Sequence, residues 1–289
     1  MGVGSGYVYR PEQVGLASAI ADAFSDKAAL LADAPTGTGK SDGYLSPVAL
    51  GEHRTVVSTG TKALQRQLVA KDLPAIRAAC ASACINPPSD ALLKARGDFL
   101  CDRRLDEHLK TASIFEDSFE EFMTWRESTT TGDVEDLPIK RPDYWREIAS
   151  DGDDCVRKKC KYSHRCHYFS DRETAQDADI LVVNHALLLV NIASGGAVFE
   201  LGNRYLILDE AHQLEDYVSE LFGAEVTFYR CRYVLRVIEK KAADLDSYTL
   251  RVRNYAEAFF LQLSEHTILG NKTTPRRLTR IFWGRSNRC

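Results

Sequence analysis

A glycine-containing segment near the amino terminus has the residue types that bind phosphate. The stretch APTGTGKS places Gly37, Gly39, Lys40 and Ser41 directly after an apolar run. Glycines let backbone N–H groups curl around an anion, and a helix that begins there adds its partial positive charge. Lys40 would reach the β- and γ-phosphates of a nucleotide, and the Ser41 hydroxyl would bind Mg²⁺. Ala34 stands where the usual phosphate-loop pattern has its first glycine, so an ordinary glycine-rich turn is the alternative.

A pair of carboxylates near residue 210 is the second group that could do chemistry. The stretch YLILDEAH places Asp209 and Glu210 directly after four strongly hydrophobic or aromatic residues. Carboxylates at the end of a buried strand are costly unless a cation compensates them. Asp209 would bind Mg²⁺, and Glu210 would orient and deprotonate an attacking water. A solvent-facing loop is the alternative, but the phosphate-binding segment upstream favours a shared nucleotide site.

Four of the eight cysteines form the third group. Cys101, Cys155, Cys160 and Cys166 have one distant member and three close ones, with the spacing C-x4-C-x5-C. Such a set can surround a metal centre and fix a segment that has little core of its own. Zinc also accepts four thiolates, usually from closer pairs, so spacing alone leaves zinc and iron–sulfur open. The other cysteines predict no site: Cys80 and Cys84 are expected to be buried small residues on a helix, and Cys231 and Cys289 follow no pattern.

The elements that must position these groups alternate between strand and helix. Residues 82–178 break the alternation, show no convincing strand and predict an insertion, and residues from 224 onwards are basic and mainly helical in pattern. Strands that alternate with helices predict an α/β fold with a parallel sheet. The expected elements are a helix at 11–26, a buried strand at 28–35, a strand at 54–60, a helix at 61–81 interrupted at Pro74, and further strand–helix pairs at 179–190 and 204–222.

The composition fits a globular protein that is long enough for about two domains. The chain has 289 residues, of which 44% are hydrophobic and 27% charged. No apolar run reaches the length of a membrane helix, and the amino terminus lacks a secretory pattern, so a cytoplasmic location is expected. The net charge of −4 conceals an acidic stretch at 102–154 and basic stretches at 156–172 and 230–289. A basic face that binds a polyanion is one interpretation, and a solvated surface is the other.

The motifs together resemble those of a known helicase group. APTGTGKS and LDEAH are similar to motifs I and II of superfamily 2 helicases, in which alanine commonly replaces the first glycine. STGTKALQRQL at 58–68, VVNHALLL at 182–189 and the cysteines between them resemble the XPD/DinG group of iron–sulfur DNA helicases, and the DinG branch in particular. The resemblance implies a RecA-like motor domain at 1–81 and 179–223, an iron–sulfur insertion at 82–178, and the beginning of a helical Arch domain at 224–289.

The resemblance implies a role for each matching residue. The catalytic residues would be Lys40, Asp209, Glu210 and His212, and the Mg²⁺ ligands would be Ser41 and Asp209. The nucleotide would be bound by Arg10, Gln13 (which would read adenine), Ala34, Thr36, Gly37, Thr38, Gly39, Lys40 and Ser41. A [4Fe–4S] cluster would be held by Cys101, Cys155, Cys160 and Cys166. Thr61, Lys62 and Gln65 would contact DNA. Around the cysteines, the residue pattern itself suggests that Lys158 and Lys161 attract DNA phosphates, with Tyr162, His167, Tyr168 and Phe169 interleaved for base stacking; a charged, solvated loop is the alternative.

The implied function is that of an ATP-dependent 5′→3′ DNA helicase of the bacterial nucleoid, with ATP, Mg²⁺ and a [4Fe–4S] cluster as cofactors and single-stranded or forked DNA as partner. We find no motif of a second RecA-like domain and no arginine finger, so we expect the chain to be the amino-terminal portion of such an enzyme. The second domain would belong to the full-length protein or be supplied separately, so we expect this chain alone to hydrolyse ATP poorly or not at all. The alternatives are a nucleotide- and DNA-binding module without unwinding activity and a zinc-dependent regulatory protein.

Overall fold

The computed structural model describes residues 9–35, 37–51, 53–111, 118–222, 250–255 and 257–258. The chain divides into two compact units, Met1–Phe222 and Gly223–Cys289. In the second unit the described residues are helical. Most of the expected Arch segment lies outside the described residues, as do Thr36, Cys231 and Cys289.

A parallel four-stranded sheet forms the centre of the first unit. Its strands are β1 (Thr55–Thr59), β2 (Asp90–Leu92), β3 (Ile180–Asn184) and β4 (Tyr205–Leu208), in the order β2-β3-β1-β4. Thr55 lies opposite Ile180 on one side and Tyr205 on the other, and all three strand pairs are parallel. The predicted α/β class with a parallel sheet is therefore confirmed.

Helices cover both faces of this sheet, because alternate residues of each strand point to opposite sides. Val57 packs into a core that includes residues of the helices Pro11–Asp26, Lys40–Leu50 and Leu73–Ser82, whereas Val56 packs with residues of the helix His185–Ala193 on the other face. None of the described helices combines the length and apolar character needed to cross a bilayer. The helices are α1 (Pro11–Asp26), α2 (Lys40–Leu50), α3 (Lys62–Gln67), α4 (Leu73–Ser82), α5 (Asp102–Thr111), α6 (Phe119–Ser128), α7 (Trp145–Ile148), α8 (His167–Asp177), α9 (His185–Ala193) and α10 (Leu214–Phe222).

The helix expected at 61–81 is interrupted close to Pro74, as predicted. A π-helical turn, Leu68–Asp72, joins α3 to α4, and Pro74 lies in the first turn of α4. Proline has no N–H and its ring clashes with the carbonyl four residues earlier, and the wider turn accommodates both.

The strand expected at residues 28–35 is a misprediction. These residues are irregular, and Leu30 and Leu31 are 44% and 94% exposed. The apolar composition suggests a strand, but a strand needs a hydrogen-bonded neighbour, and no described strand pairs with the free edge of β4. The end of α1, which directly precedes this segment, does contact β4, because the Tyr205 hydroxyl donates to the carbonyl of Phe24 at 2.9 Å.

The insertion also differs from expectation in two respects. Residues 90–92 form β2 and belong to the main sheet, and the insertion has a hydrophobic core of its own. Sequence patterns missed the strand because three residues are too few to show a period, and missed the core because its apolar residues are scattered among charges. The buried residues of this insertion core are Leu100, Leu105, Phe122, Trp125, Trp145, Ile148 and Ala149.

Candidate functional site

The glycine segment forms a turn that leads directly into a helix. Gly37 and Gly39 have φ values of 87° and 78°, a left-handed conformation that favours glycine, and α2 begins at Lys40. The Thr38 hydroxyl donates to the carbonyl of Pro35 at 2.9 Å. A Cβ atom on Gly39 would lie 2.5 Å from the Nε2 atom of Gln13, so a larger residue there would displace the Gln13 amide. Ala34 is partly exposed in the irregular segment before the turn.

The start of α1 holds this turn in place. Arg10 donates from Nη1 to the carbonyl of Gly37 at 2.9 Å. Gln13, which is 6% exposed, donates from Nε2 to the carbonyl of Gly39 at 3.0 Å and to Asp42 at 3.2 Å. Both residues therefore lie at the loop, and the adenine contact expected of Gln13 stays a prediction.

The two motifs meet at the carboxyl end of the sheet. The Nζ atom of Lys40 lies 2.5 Å from Oε1 of Glu210, and the Tyr44 hydroxyl lies 3.3 Å from Oδ2 of Asp209. The backbone N–H of Asp209 donates to the carbonyl of Ser58 at 2.8 Å, which continues the pairing of β4 with β1. The lysine, the two carboxylates and the start of α2 thus surround one point.

The electrostatics of these groups suit a cation–phosphate pair. The hydrogen bond to Glu210 raises the pKa of Lys40, and the same bond holds the pKa of Glu210 below its usual range. Burial raises the pKa of Asp209, while the charge of Lys40 opposes that shift. Burial also raises the pKa of Tyr44, so its hydroxyl stays protonated and donates to Asp209. Ser41 interacts with the same hydroxyl, which brings it close to the carboxylate with which it would share Mg²⁺.

The DEAH motif, residues 209–212, contains one residue with an unusual backbone conformation. Glu210 has a φ of 57°, which is rare for a residue with a side chain and is typical of functional sites. The His212 side chain is 72% exposed, and its Nδ1 atom lies 3.5 Å from Oε2 of Glu210. His212 is therefore beside the candidate general base and open to solvent.

The segment expected to contact DNA is partly accessible. Thr61 is exposed and caps α3, since its hydroxyl accepts the N–H of Leu64 at 3.3 Å. Lys62 is exposed but forms ion pairs with Asp98 at 2.9 Å and Glu135 at 3.4 Å. Gln65 is only 3% exposed, so the structure does not offer its side chain to DNA.

All four cysteines lie in the insertion, and Cys166 is near enough to the other three for their charges to affect its pKa. Cys101 directly precedes α5 and Cys166 directly precedes α8. Burial raises the pKa of both thiols, the nearby cysteine thiols add to this, and backbone N–H groups of the following helices oppose it. Cys155 accepts the N–H of Arg157 at 3.4 Å.

The N–H donors at the two helix starts favour the thiolate form, whereas burial, the larger influence, favours the neutral thiol. Within the described residues, however, no group of three or more histidine, cysteine or acidic side chains is already arranged as a metal site. A metal centre held by these four cysteines therefore stays a prediction.

The basic stretch around the cysteines is only partly free. Lys158 is exposed and forms no ion pair within the described part of the chain, whereas Lys161 pairs with Asp106 at 3.1 Å. Tyr168 is 5% exposed, with the Arg96 guanidinium 4.5 Å from its ring centre. The expectation that Tyr168 stacks on bases is therefore not met, because the ring is needed to pack the insertion against its neighbours.

Sequence reasoning assigned no role to two residues of this site. Tyr44 lies four residues after Lys40 on the same face of α2, and that spacing was the available signal. His185 is a polar residue inside an apolar run, and it is fully buried with Nδ1 2.7 Å from the Ser58 hydroxyl. A buried histidine in such a run is a signal, although the sequence does not show its partner.

The fold and this site define an α/β protein in which a glycine turn and an acidic strand end meet at the carboxyl edge of a parallel sheet. A solved structure described as XPD helicase superposes with a TM-score of 0.51 at 15% identity, over 86% of this chain and 40% of that one. A likeness at this identity establishes the fold.

The chain belongs to the DEAD_2 family of XPD/DinG-like helicases, whose family model matches residues 78–230. It is 35% identical over 237 residues to the ATP-dependent DNA helicase YoaA of Haemophilus influenzae, which covers 77% of this chain and 36% of YoaA. It is 32% identical over 260 residues to the ATP-dependent helicase DinG of Mycobacterium tuberculosis, which covers 80% of this chain and 39% of DinG. The chain thus spans well under half the length of these curated relatives.

Proposed function

We propose that this chain is the ATP- and single-stranded-DNA-binding part of a DinG-type, ATP-dependent 5′→3′ DNA helicase. The observation that carries the proposal is the 2.5 Å contact between Lys40 and Glu210, which lie 170 residues apart. The glycine turn and the acidic strand end therefore form one site. Membership of the helicase family supports the same conclusion, and the polarity is inherited from the resemblance.

Each residue of the site has a part in binding and hydrolysing ATP. The N–H groups of the turn at Gly37–Gly39 and the start of α2 would hold the phosphates, and Lys40 would leave Glu210 to bind the γ-phosphate. Ser41 and Asp209 would hold Mg²⁺, which when bound offsets the charge of the phosphates. Glu210, released from Lys40, would orient the attacking water and accept its proton.

The DNA-binding part of the proposal relies on exposed residues. Thr61 and Lys62 at the start of α3, together with Lys158 and Lys161 in the insertion, would contact the phosphate backbone. The acidic partners of Lys62 and Lys161 would have to be displaced, whereas Lys158 is available without such a change. Gln65, being buried, is not included.

The four insertion cysteines would hold a [4Fe–4S] cluster, which when bound supplies covalent cross-links between segments far apart in sequence. Cys101 and Cys166 would contribute from the N-termini of α5 and α8, and Cys155 and Cys160 from the segment between α7 and α8. The N–H donors already directed at three of these thiols would stabilise the anionic sulfurs.

DNA-stimulated ATP hydrolysis tests the nucleotide part of this proposal. Hydrolysis by this chain alone is expected to be slow without an arginine finger, to rise when single-stranded DNA is added, and to fall by at least about 10-fold in Lys40→Ala. Lys71→Ala, which removes an exposed lysine of the π-helical turn, is the matched control and should have no effect. Nucleotide affinity that is the same in Lys40→Ala as in the wild type would contradict the proposal.

A module without unwinding activity is the alternative, and the same assay separates it. Such a module would bind Mg²⁺–ATP in a Lys40-dependent manner and bind DNA, but would show no turnover with or without DNA.

The salt dependence of DNA binding tests the electrostatic part. Lys158→Ala should weaken binding to oligonucleotides of any sequence and lower the slope of log K against log salt by about 0.7. Lys71→Ala again serves as the control. An unchanged slope in Lys158→Ala would remove this residue from the interface.

A further inference from the structure

His185 occupies a buried position between the carboxyl ends of three strands. It is the first residue of α9, directly after β3, and it is 0% exposed. Asn184 fixes the start of this helix, since its side chain accepts the N–H of Leu187 at 2.7 Å. On one side the Nδ1 atom of His185 lies 2.7 Å from the hydroxyl of Ser58 in β1. The imidazole therefore links β3 to β1.

The other edge of the same ring faces the acidic strand end. The Nε2 atom is buried and has no hydrogen-bond partner in the described part of the chain. Burial lowers the pKa of His185, and backbone groups of Glu210 and Asp209 next to the ring oppose this shift. The ring of Tyr217 lies edge-on with its centre 5.8 Å away. The imidazole thus contacts Ser58 through one nitrogen, and its other edge adjoins the backbone that carries both carboxylates.

A second set of contacts joins this region to the candidate DNA segment. The Tyr217 hydroxyl donates to the carbonyl of Gly60, and the Gln213 side chain lies so close that a Cβ on Gly60 would be 2.0 Å from its Oε1 atom. Gly60 directly precedes Thr61, which caps α3. Residues that follow the DEAH motif therefore touch the point where the DNA segment begins.

We propose that His185 is a positioning residue that couples the placement of Asp209 and Glu210 to the end of β1, and through it to Thr61 and Lys62. The inference rests on the proposed function, because it needs a nucleotide at one end of the network and DNA at the other. When a γ-phosphate draws Lys40 away from Glu210, the turn at residues 209–210 is released from that ion pair. A rigid imidazole between this turn and Ser58 transmits the change to the neighbouring strand.

Coupling of this kind is measured as a coupling ratio, which is the Kd for DNA without nucleotide compared with the Kd for DNA with nucleotide bound. If nucleotide changes the affinity for DNA, DNA must change the affinity for nucleotide by the same factor. We expect Mg²⁺–AMP-PNP to change the Kd for a fluorescein-labelled oligothymidylate by about 10-fold in the wild-type chain, which is within the usual range for coupled sites.

Two variants break the network at different points. His185→Asn retains a polar group near the position of Nδ1 and so keeps the contact with Ser58, but removes the ring edge that adjoins residues 209–210. Ser58→Ala removes the contact on the β1 side and leaves the imidazole. Each variant should bind nucleotide alone and DNA alone with affinities within about 3-fold of the wild type. In each variant the coupling ratio should fall below about 2-fold. The double variant should be no worse than either single variant, because one pathway can be interrupted only once.

Leu188→Ala is the control for a purely structural effect. Leu188 is 2% exposed on the same helix and packs in the core on the α9 face of the sheet, so its truncation lowers stability without breaking the network. Coupling should survive in this variant at a temperature where it remains folded.

The outcomes separate the inference from the proposed function. A coupling ratio that is unchanged in His185→Asn, or lost equally in Leu188→Ala, overturns the inference. A wild-type chain that binds nucleotide and DNA independently overturns the inference alone and leaves the proposed function in place. A wild-type chain that binds neither overturns both.

Discussion

Glu210 is held by Lys40, and this pairing makes the roles of the two residues separable. Removal of the lysine should abolish phosphate binding, whereas removal of the carboxylate should spare it, because the lysine is then free for phosphate. We expect Glu210→Gln to bind Mg²⁺–AMP-PNP within about 3-fold of the wild type, and to hydrolyse ATP at least about 10²-fold more slowly, since general-base catalysis contributes that much.

Calorimetric titration with AMP-PNP and a single-turnover hydrolysis assay check this prediction. A Glu210→Gln variant that loses nucleotide binding as completely as Lys40→Ala would show that the carboxylate has a structural role in the site, contrary to the account given above.

Asp171 gives the insertion a pH-dependent stability. Its Oδ2 atom is buried without a hydrogen-bond partner among the described residues, and burial raises its pKa to about 6, with nearby Asp133 adding to the shift and Lys94 opposing it. Because the pKa is higher in the folded state than in the unfolded state, the folded state binds more protons between about pH 4 and pH 6. Stability attributable to this group therefore falls as the pH rises through that window.

Asp171→Asn removes the cost of ionising this carboxyl. At pH 8 the variant should be more stable than the wild type by about 1 kcal/mol, after a reduction for partial solvent exposure, which raises Tm by about 2–4 °C. At pH 4 the two proteins should unfold at nearly the same temperature. Glu173→Gln, an exposed position on the same helix, is the control. Equal stabilisation by Asp171→Asn at both pH values would contradict the buried-carboxyl explanation.

At the scale of elements, the junction between the glycine turn and α2 is the most constrained. Gly39 combines a φ of 78° with a neighbour only 2.5 Å from the position of an added Cβ. Gly39→Ala should therefore lower the free energy of unfolding by about 1–2 kcal/mol and weaken Mg²⁺–AMP-PNP binding by at least about 10-fold.

Gly15→Ala provides a matched control within α1. No atom lies within 4 Å of an added Cβ at Gly15, and its backbone is helical, so the substitution should stabilise the protein by about 0.5–1 kcal/mol. Chemical denaturation measures both changes. A Gly39→Ala variant as stable as Gly15→Ala would show that the turn does not require a left-handed residue.

The cysteine cluster joins two helix starts to one loop, and its metal content can be measured directly. We expect the chain purified without oxygen to contain about four iron and four sulfide ions and to be brown. Cys160→Ser should lose the colour and most of the iron, whereas Cys84→Ser, an exposed cysteine outside the cluster, should retain both. Because the insertion has its own hydrophobic core, Cys160→Ser should still show a cooperative unfolding transition. Stoichiometric zinc without colour would exclude the iron–sulfur assignment.

At the scale of the whole molecule, the sequence predicted that the two motifs would meet more fully than it predicted the sheet. Lys40 and Asp209 could be brought together from motifs alone, because the carboxyl ends of parallel strands lie at one edge of a sheet and ligands bind there. The α/β class, the helix at 11–26 and the strands near 55, 180 and 205 followed from apolar runs and their spacing.

The remaining differences have physical causes that a sequence does not display. Residues 28–35 have the composition of a strand, but pairing depends on a neighbour along the edge of β4. β2 is three residues long, which is too short for any period to appear. Gln65, Tyr168 and His185 are buried, and their burial could not be predicted because it is caused by packing against segments distant in sequence.

A crystal structure of the chain with Mg²⁺–AMP-PNP tests the central claim most directly. We predict that the β- and γ-phosphates lie in the turn at residues 37–40, that Ser41 and Asp209 contact Mg²⁺ directly or through water, and that the Lys40 ammonium moves from Glu210 to the γ-phosphate. A nucleotide bound elsewhere, or a Lys40–Glu210 ion pair that persists beside bound nucleotide, would contradict the account.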